Sequence, residues 1–179
     1  MAVKEPLKAT ARLILRELEE SDARDLYLLN SDPKVLRYTG DRPFLNQAAA
    51  AAFIRDYQHY SQNGFGRWAV TLADSGRFAG ICGLNRDPLS NEVDLAFRIF
   101  PRYWARGIAT EAAAAALALG FKKFELDTII SRAMRENLPS ISILQKLGMR
   151  FREVSEDQDV FWLVYTISRS QYLRSVSGK

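Results

Sequence analysis

The run Pro101-Arg102-Tyr103-Trp104-Ala105-Arg106-Gly107-Ile108-Ala109-Thr110-Glu111-Ala112 decides the fold, because the apolar pattern changes period across it. Ahead of it, Val93-Asp94-Leu95-Ala96-Phe97-Arg98-Ile99-Phe100 alternates as a half-buried strand does. Behind it, the alanine-rich run to Leu119 keeps an apolar stripe at helical spacing. A strand feeding directly into a helix leaves the first N–H groups of that helix unpartnered at its positive end, where an anion is favoured. Gly107 lets a phosphate approach the backbone with no Cβ in the way, Ala109 keeps the next turn slim, and Arg102 and Arg106 supply countercharge. Glu111 in the first turn suits a helix N-terminus. The residues alone leave two readings open: a cradle for a phosphate-bearing ligand, or a glycine that only turns the chain.

Trp104-Ala105-Arg106-Gly107-Ile108-Ala109-Thr110-Glu111-Ala112 resembles the pyrophosphate-binding motif of the GNAT superfamily of acetyl-CoA-dependent N-acetyltransferases. That motif runs Gln or Arg, two residues, Gly, one residue, then Gly or Ala. Gly107 and Ala109 fill the last two fixed places, and Trp104 stands where Gln or Arg is commonest. The Tyr-Trp-x-x-Gly-x-Ala-Thr-Glu-Ala form after Pro101 is closer to the ribosomal-protein alanine acetyltransferases, a branch that usually has Gly in place of Ala105. The resemblance implies that acetyl-CoA lies on Arg102, Trp104, Ala105, Arg106, Gly107, Ile108, Ala109 and Thr110, with the backbone of Phe97, Arg98 and Ile99 as a second edge.

A chain of 179 residues suits one domain with a sizeable core. Its net charge of +4 is spread along the sequence; this helps attract an anionic cosubstrate but gives no direct sign of nucleic-acid binding. One cysteine, Cys82, excludes an internal disulfide and a cysteine-rich metal site, and no metal is expected. No apolar run is long enough for a bilayer, and Met1 to Pro6 lack an apolar leader core, so a cytoplasmic protein is expected, as monomer or homodimer.

Along the chain, residues 10–18 read as a strand, and Ser21-Asp22 caps a short helix to Leu29 that Asp32-Pro33 stops. Residues 46–62 read as a helix capped by Asn46. Two apolar runs, 67–73 and 77–84, flank Asp74-Ser75-Gly76 as a hairpin. The central strand and alanine-rich helix follow, with Gly120-Phe121 closing the helix. Residues 128–134 read as a strand, a helix opens at Glu136-Asn137-Leu138-Pro139-Ser140 and stops at Gly148, and two strands near 150–155 and 160–168 end the fold. Residues 8–172 are expected to fold and 173–179 to be a disordered tail. This is a mixed α/β (α+β) domain of roughly six or seven strands and about four helices. Its order resembles the GNAT fold over nearly the whole chain, and the sheet order comes from that resemblance.

Direct acetyl transfer to an amine needs a base or water chain, a donor for the oxyanion and a proton for the departing thiolate. Asn137 and Ser140, three apart at a helix start, place an amide for the pantetheine arm beside a hydroxyl for the sulfur; the same pair also suits a plain helix cap. With Lys146-Leu147-Gly148-Met149 they resemble the Asn-x-x-Ser…Lys-Leu-Gly-Phe segment of the same branch. Glu92 and Asp94, two apart on one strand face, are the candidate bases; an exposed strand face accounts for them equally. Asp94-Leu95-Ala96-Phe97 stands where the family has an acidic residue, a hydrophobic one, Gly and Tyr, so Phe97 brings no hydroxyl. His59 and Cys82 read as structural. The acceptor is then a primary amine, first a protein or peptide N-terminal α-amine. The alternatives are a small amine and a non-catalytic acyl-CoA-binding module.

Overall fold

Strong strand patterns and one alanine-rich helix dominate the computed structural model, which describes residues 6–157 and 160–177. In chain order its elements are β1 (Lys8–Ala9), β2 (Leu13–Arg16), α1 (Ala23–Leu29), α2 (Pro33–Leu36), α3 (Gln47–Arg55), α4 (His59–Asn63), β3 (Arg67–Leu72), β4 (Phe78–Arg86), β5 (Val93–Ile99), α5 (Ile108–Lys122), β6 (Thr128–Met134), α6 (Leu138–Lys146), β7 (Arg150–Asp157), β8 (Val160–Ser168) and α7 (Arg169–Ser177). The strands form one mixed sheet in the order β1-β2-β3-β4-β5-β6-β8-β7. Every neighbouring pair is antiparallel except β5 and β6, which are parallel. Helix α5 is the crossover a parallel pair requires.

The core is built where α5 lies on the sheet. Ala112, Ala113, Ala116, Leu117 and Phe121 pack with Leu13, Leu15, Leu84, Leu95 and Ile129 in one buried cluster. Small side chains let the helix approach closely, and Gly120 closest of all. A Cβ there would stand 2.6 Å from Ile129 Cδ1 and 3.1 Å from Leu84 Cδ1. Gly120 therefore lies inside α5, not at its end as the sequence suggests, because here the glycine serves interhelix-to-sheet contact.

Four other expectations are corrected. The sheet has eight strands, since Lys8–Ala9 folds back on β2 through a bend fixed by Glu111, which accepts from Thr10 Oγ1 and the Arg12 amide. After the Asp32-Pro33 stop a short further helix, α2, forms, its first turn capped by Asp32. The expected helix 46–62 is two helices, α3 and α4. Asn46 caps the first as expected, but the break at 56–58 lets Tyr57 and Tyr60 reach the start of β3, where Tyr57 Oη accepts from the Arg67 amide at 2.7 Å and Tyr60 Oη donates to the Arg67 carbonyl. Finally, residues 173–177 continue α7: Ser168 Oγ accepts from the Gln171 amide, and Tyr172 stacks on Phe121 with ring centroids 4.9 Å apart. Residues 178–179 of the expected tail lie outside the described residues.

Candidate active site

The ladder between β5 and β6 consists of one register pair, Asp94↔Ile130. Just beyond it Ser131 Oγ donates to the Leu95 carbonyl at 2.7 Å, a side-chain bond where the next backbone bond would fall. The strands then part, and a cleft of about 1070 Å³ opens between them. Ala96, Phe97, Arg98 and Ile99 line one wall; Ser131, Arg132, Asn137, Ser140 and Ile143 line the other. Backbone groups along parted strands have no ladder partner, so they are available to a ligand.

At one end of the cleft stands the N-terminus of α5. Its N-cap is Gly107, with φ 76° and ψ 3°, and no side chain caps the helix. The first intrahelical bond to the cap is from the Glu111 amide to the Gly107 carbonyl at 3.0 Å, which leaves the amides of Ile108, Ala109 and Thr110 unpaired. Ala105 is also left-handed, with φ 57°, while Arg106 between them is not. Such alternation turns successive N–H groups into a concave nest for anions. Trp104, in the place of the family's Gln or Arg, donates from Nε1 to the Ile99 carbonyl at 2.6 Å and so ties this turn to the end of β5. Glu111 faces away, gripping Arg12 at 2.6 Å. Burial would raise the Glu111 pKa, but hydrogen bonds from Thr10 and Arg12 outweigh it and hold the carboxyl below the ordinary glutamate value.

Of the candidate chemical groups, Asp94 lines the cleft at the point where the strands part. Its Oδ2 accepts from Arg67 Nη2 at 2.9 Å, and its Oδ1 is buried with no partner among the described residues. Arg67 is further fixed by donating to the Gly83 carbonyl at 2.7 Å. Asn137 caps α6, Oδ1 accepting from the Ser140 amide at 3.3 Å, so the cap reading describes what its oxygen does; its amide nitrogen has no partner among the described residues. The Ser140 hydroxyl has no hydrogen-bond partner among the described residues and lines the cleft.

Three residues singled out from the sequence are not brought to this cleft. Glu92 is held by Arg132 at 3.1 Å and Arg152 at 2.7 Å. Arg102 and Arg106 line a different concavity, Arg102 from the 3-10 turn Pro101–Tyr103, which has about three residues per turn and sends neighbouring side chains in different directions, and Arg106 from between the left-handed Ala105 and Gly107. Within it Tyr103 is buried, while Arg102 stacks on Phe100 at 4.1 Å. The remaining cofactor candidates, Phe97, Arg98, Ile99, Trp104, Ala105, Gly107, Ile108, Ala109, Thr110, Asn137 and Ser140, all line the cleft.

Arg67, Ser131, Tyr38 and Asp41, none of them singled out as a site residue from sequence, also line it, as does Trp162. Arg98 ties the far side together, donating to Asn30 Oδ1 at 3.0 Å and pairing with Asp41. No local spacing marks such contacts, which join positions tens of residues apart. Cys82 is fully buried and burial pushes its thiol up to about 12, which suits packing and not nucleophilic attack. His59 packs on Tyr57 with centroids 4.9 Å apart; burial first, and the charge of Arg67 second, lower its pKa. No described helix is long and apolar enough to cross a membrane.

Comparison with known proteins gives the same picture. Residues 12–150 match the family model described as an acetyltransferase (GNAT) domain. The uncharacterized N-acetyltransferase YnaD of Bacillus subtilis (strain 168) is 30% identical over 141 residues, covering 79% of this chain and 81% of that protein. Among solved structures, spermidine N-acetyltransferase from Vibrio cholerae in complex with CoA and spermine is 20% identical with a TM-score of 0.78, over 92% of this chain and 99% of that one. A structure proposed to be a ribosomal-protein-serine acetyltransferase, also from Vibrio cholerae, is 19% identical with a TM-score of 0.77, over 94% and 99%.

Proposed function

The chain belongs to the GNAT acetyltransferase family, which uses acetyl-CoA, and from that premise we propose that it transfers the acetyl group directly to a primary amine at the Asp94 end of the cleft. One observation carries the placement of the donor: the uncapped α5 N-terminus, with its left-handed turn at 105–107, opens at one end of a slot whose walls are unpaired strand edges. Phosphates suit the first feature, and the amides of a pantetheine arm suit the second. Acetyl-CoA thus fits as substrate, with its pyrophosphate on residues 105–110.

In this reading the neutral amine attacks the thioester carbonyl carbon, the carbon–sulfur bond breaks, and the proton lost by nitrogen balances the one gained by the thiolate. Asp94 is the acceptor for the amine proton, directly or through water, since its buried Oδ1 has no partner among the described residues. Arg67 fixes the Asp94 carboxylate from the other side. Ser140 donates to the departing sulfur, and its hydroxyl, on the opposite wall and without a partner among the described residues, supports this role. Glu92, already engaged by two arginines, is assigned no chemistry.

The acceptor we put first is the α-amine of a peptide N-terminus, on the strength of the motif around Trp104 and the Asn137–Ser140 segment. A small amine is the second reading. Tyr38, Trp162 and Asp157, a carboxylate with no ion pair among the described residues, line the cleft and favour it, as aromatic faces and a carboxylate suit a cation. Release of CoA thiol measured with Ala- and Ser-starting peptides against spermidine and simple monoamines tests both. Turnover with any of them supports the enzyme, and the ranking decides the acceptor. Tight acetyl-CoA binding with no turnover on the whole panel would favour a binding module.

A further inference from the structure

Three buried side-chain atoms have no hydrogen-bond partner among the described residues: Ser31 Oγ, Asn85 Oδ1 and Asp94 Oδ1. Ser31 lies apart, between α1 and α2. The other two belong together. Asn85 and Asp94 stand directly opposite one another in the antiparallel ladder of β4 and β5, so their side chains leave the same face of the sheet side by side, with Cβ atoms about 4.5–5.5 Å apart. Two buried acceptors are thus gathered at one point, and neither receives a hydrogen from the described residues.

The two ends of the Asp94 carboxylate differ. Oδ2 accepts from Arg67 Nη2 at 2.9 Å, and Arg67 is fixed in turn by the Gly83 carbonyl and by Tyr57 Oη, which accepts from its amide. Oδ1 lies beside a residue whose own oxygen is unserved. A proton placed on Oδ1 satisfies both oxygens with one hydrogen, because it makes Oδ1 a donor and Asn85 Oδ1 its acceptor. A proton placed on Oδ2 would meet the Arg67 guanidinium instead and leave both oxygens as they were. Other charged groups around the pair are committed elsewhere. Glu92 is held by Arg132 and Arg152, Arg98 by Asp41 and Arg86 by Asn91, while Asp87 accepts from the amides of Leu89 and Ser90. Tyr57, bonded to Arg67, stays a neutral phenol because burial raises its pKa.

We infer that Asn85 is the positioning residue of the proposed base, its Oδ1 receiving the hydrogen that Asp94 Oδ1 takes from the amine. The inference rests on the reading of Asp94 given above. As nitrogen bonds to the carbonyl carbon it gains a positive charge; its N–H bond then breaks, the electron pair stays on nitrogen, and the proton forms the Asp94 O–H bond and cancels the carboxylate charge. The new O–H donates to Asn85, which neither gains nor loses a proton and is not among the residues lining the cleft.

Profiles of rate against pH test this, taken with whichever acceptor of the panel above turns over. Asn85→Ala removes the receiving oxygen, so kcat should fall about tenfold with an unchanged KM for acetyl-CoA. Asn85→Asp keeps that oxygen and adds a charge. Two carboxylates so placed share one proton and release it only at higher pH, so the acid limb of kcat/KM should move up by about one pH unit, with kcat above that limb returning close to the native value. Carbon-13 titration of the aspartate carboxyls needs no acceptor, Asp94→Asn identifying the Asp94 signal; in Asn85→Asp that signal should titrate together with the new one. A limb and a carboxyl titration that Asn85→Asp leaves unmoved, or equal loss of kcat in both Asn85 variants at every pH, overturns the inference. The base reading fails separately: Asp94→Asn would then turn over at the native rate, and this inference would fall with it. Inactive Asp94→Asn beside native-like Asn85 variants dismisses Asn85 alone.

Discussion

Replacing Gly120 by alanine should couple specifically to Ile129. In α5 the new Cβ would lie 2.6 Å from Ile129 Cδ1, closer than side chains tolerate, and 3.1 Å from Leu84 Cδ1, a tight contact. Forcing a methyl group into a packed core costs about 1–3 kcal/mol. Alanine regains about 1 kcal/mol over glycine through helix propensity, so Gly120→Ala is expected to destabilise by about 1 kcal/mol. Ile129→Val removes the crowding atom itself, and in the native background costs about 0.5–1.5 kcal/mol for the lost methyl. In the Gly120→Ala background the same change relieves the clash, so the double variant should be more stable than the sum by about 1 kcal/mol or more. Urea unfolding of the four proteins measures the cycle, with equal slopes required for the comparison. Additivity within about 0.5 kcal/mol would refute the account of α5 packing, because it would mean that the helix and β6 are not held at the distance described.

Gly107→Ala and Gly64→Ala impose the same left-handed cost, both residues having φ of 76°, and each should lower the unfolding midpoint by about 2–4 °C. Only the first should weaken acetyl-CoA binding; equal affinities would remove the α5 turn as the donor site. Ser140→Ala should lower kcat by about a hundredfold with little change in the KM for acetyl-CoA, and an unchanged kcat would dismiss the serine as the acid. Because the folded pKa of Glu111 is depressed, its contribution to stability is complete above the ordinary glutamate value and disappears as pH falls through the folded one. Glu111→Gln should therefore flatten part of the acid limb of stability against pH, and an unaltered limb would show that the Thr10–Arg12–Glu111 contact carries no such linkage.

The sequence was most readable where a single local pattern is undisputed. Thr128–Met134 and Val160–Ser168 have the bounds their β-branched runs imply, and the change of period at Gly107 does mark the start of α5. Reading failed where a distant partner overrode local preference. Tyr57 and Tyr60 keep helical spacing but are drawn to the Arg67 peptide, which breaks the helix between them. Gly120 looks like a stop because a close approach to β4 and β6 leaves no trace in neighbouring residues. At the candidate site, spacing placed Asp94, Asn137 and Ser140 on elements that line the cleft, while the direction of Arg102 depended on a 3-10 turn, and that of Arg106 on left-handed backbone on either side of it, which spacing does not reveal. Arg67 escaped notice because its bond to Asp94 spans 27 positions.

The single β5–β6 pair has a thermodynamic meaning as well. Within strands β2 to β5 and within strands β6, β8 and β7 each neighbouring pair shares at least four register pairs, yet between these two halves the backbone provides one pairing and Ser131 a second bond. Amide hydrogens inside either half should exchange slowly, and those on the facing edges beyond Asp94 and Ser131 quickly, until a ligand lies between them. The sheet is in this sense unfinished, and the strand it lacks would be supplied by the molecule it binds.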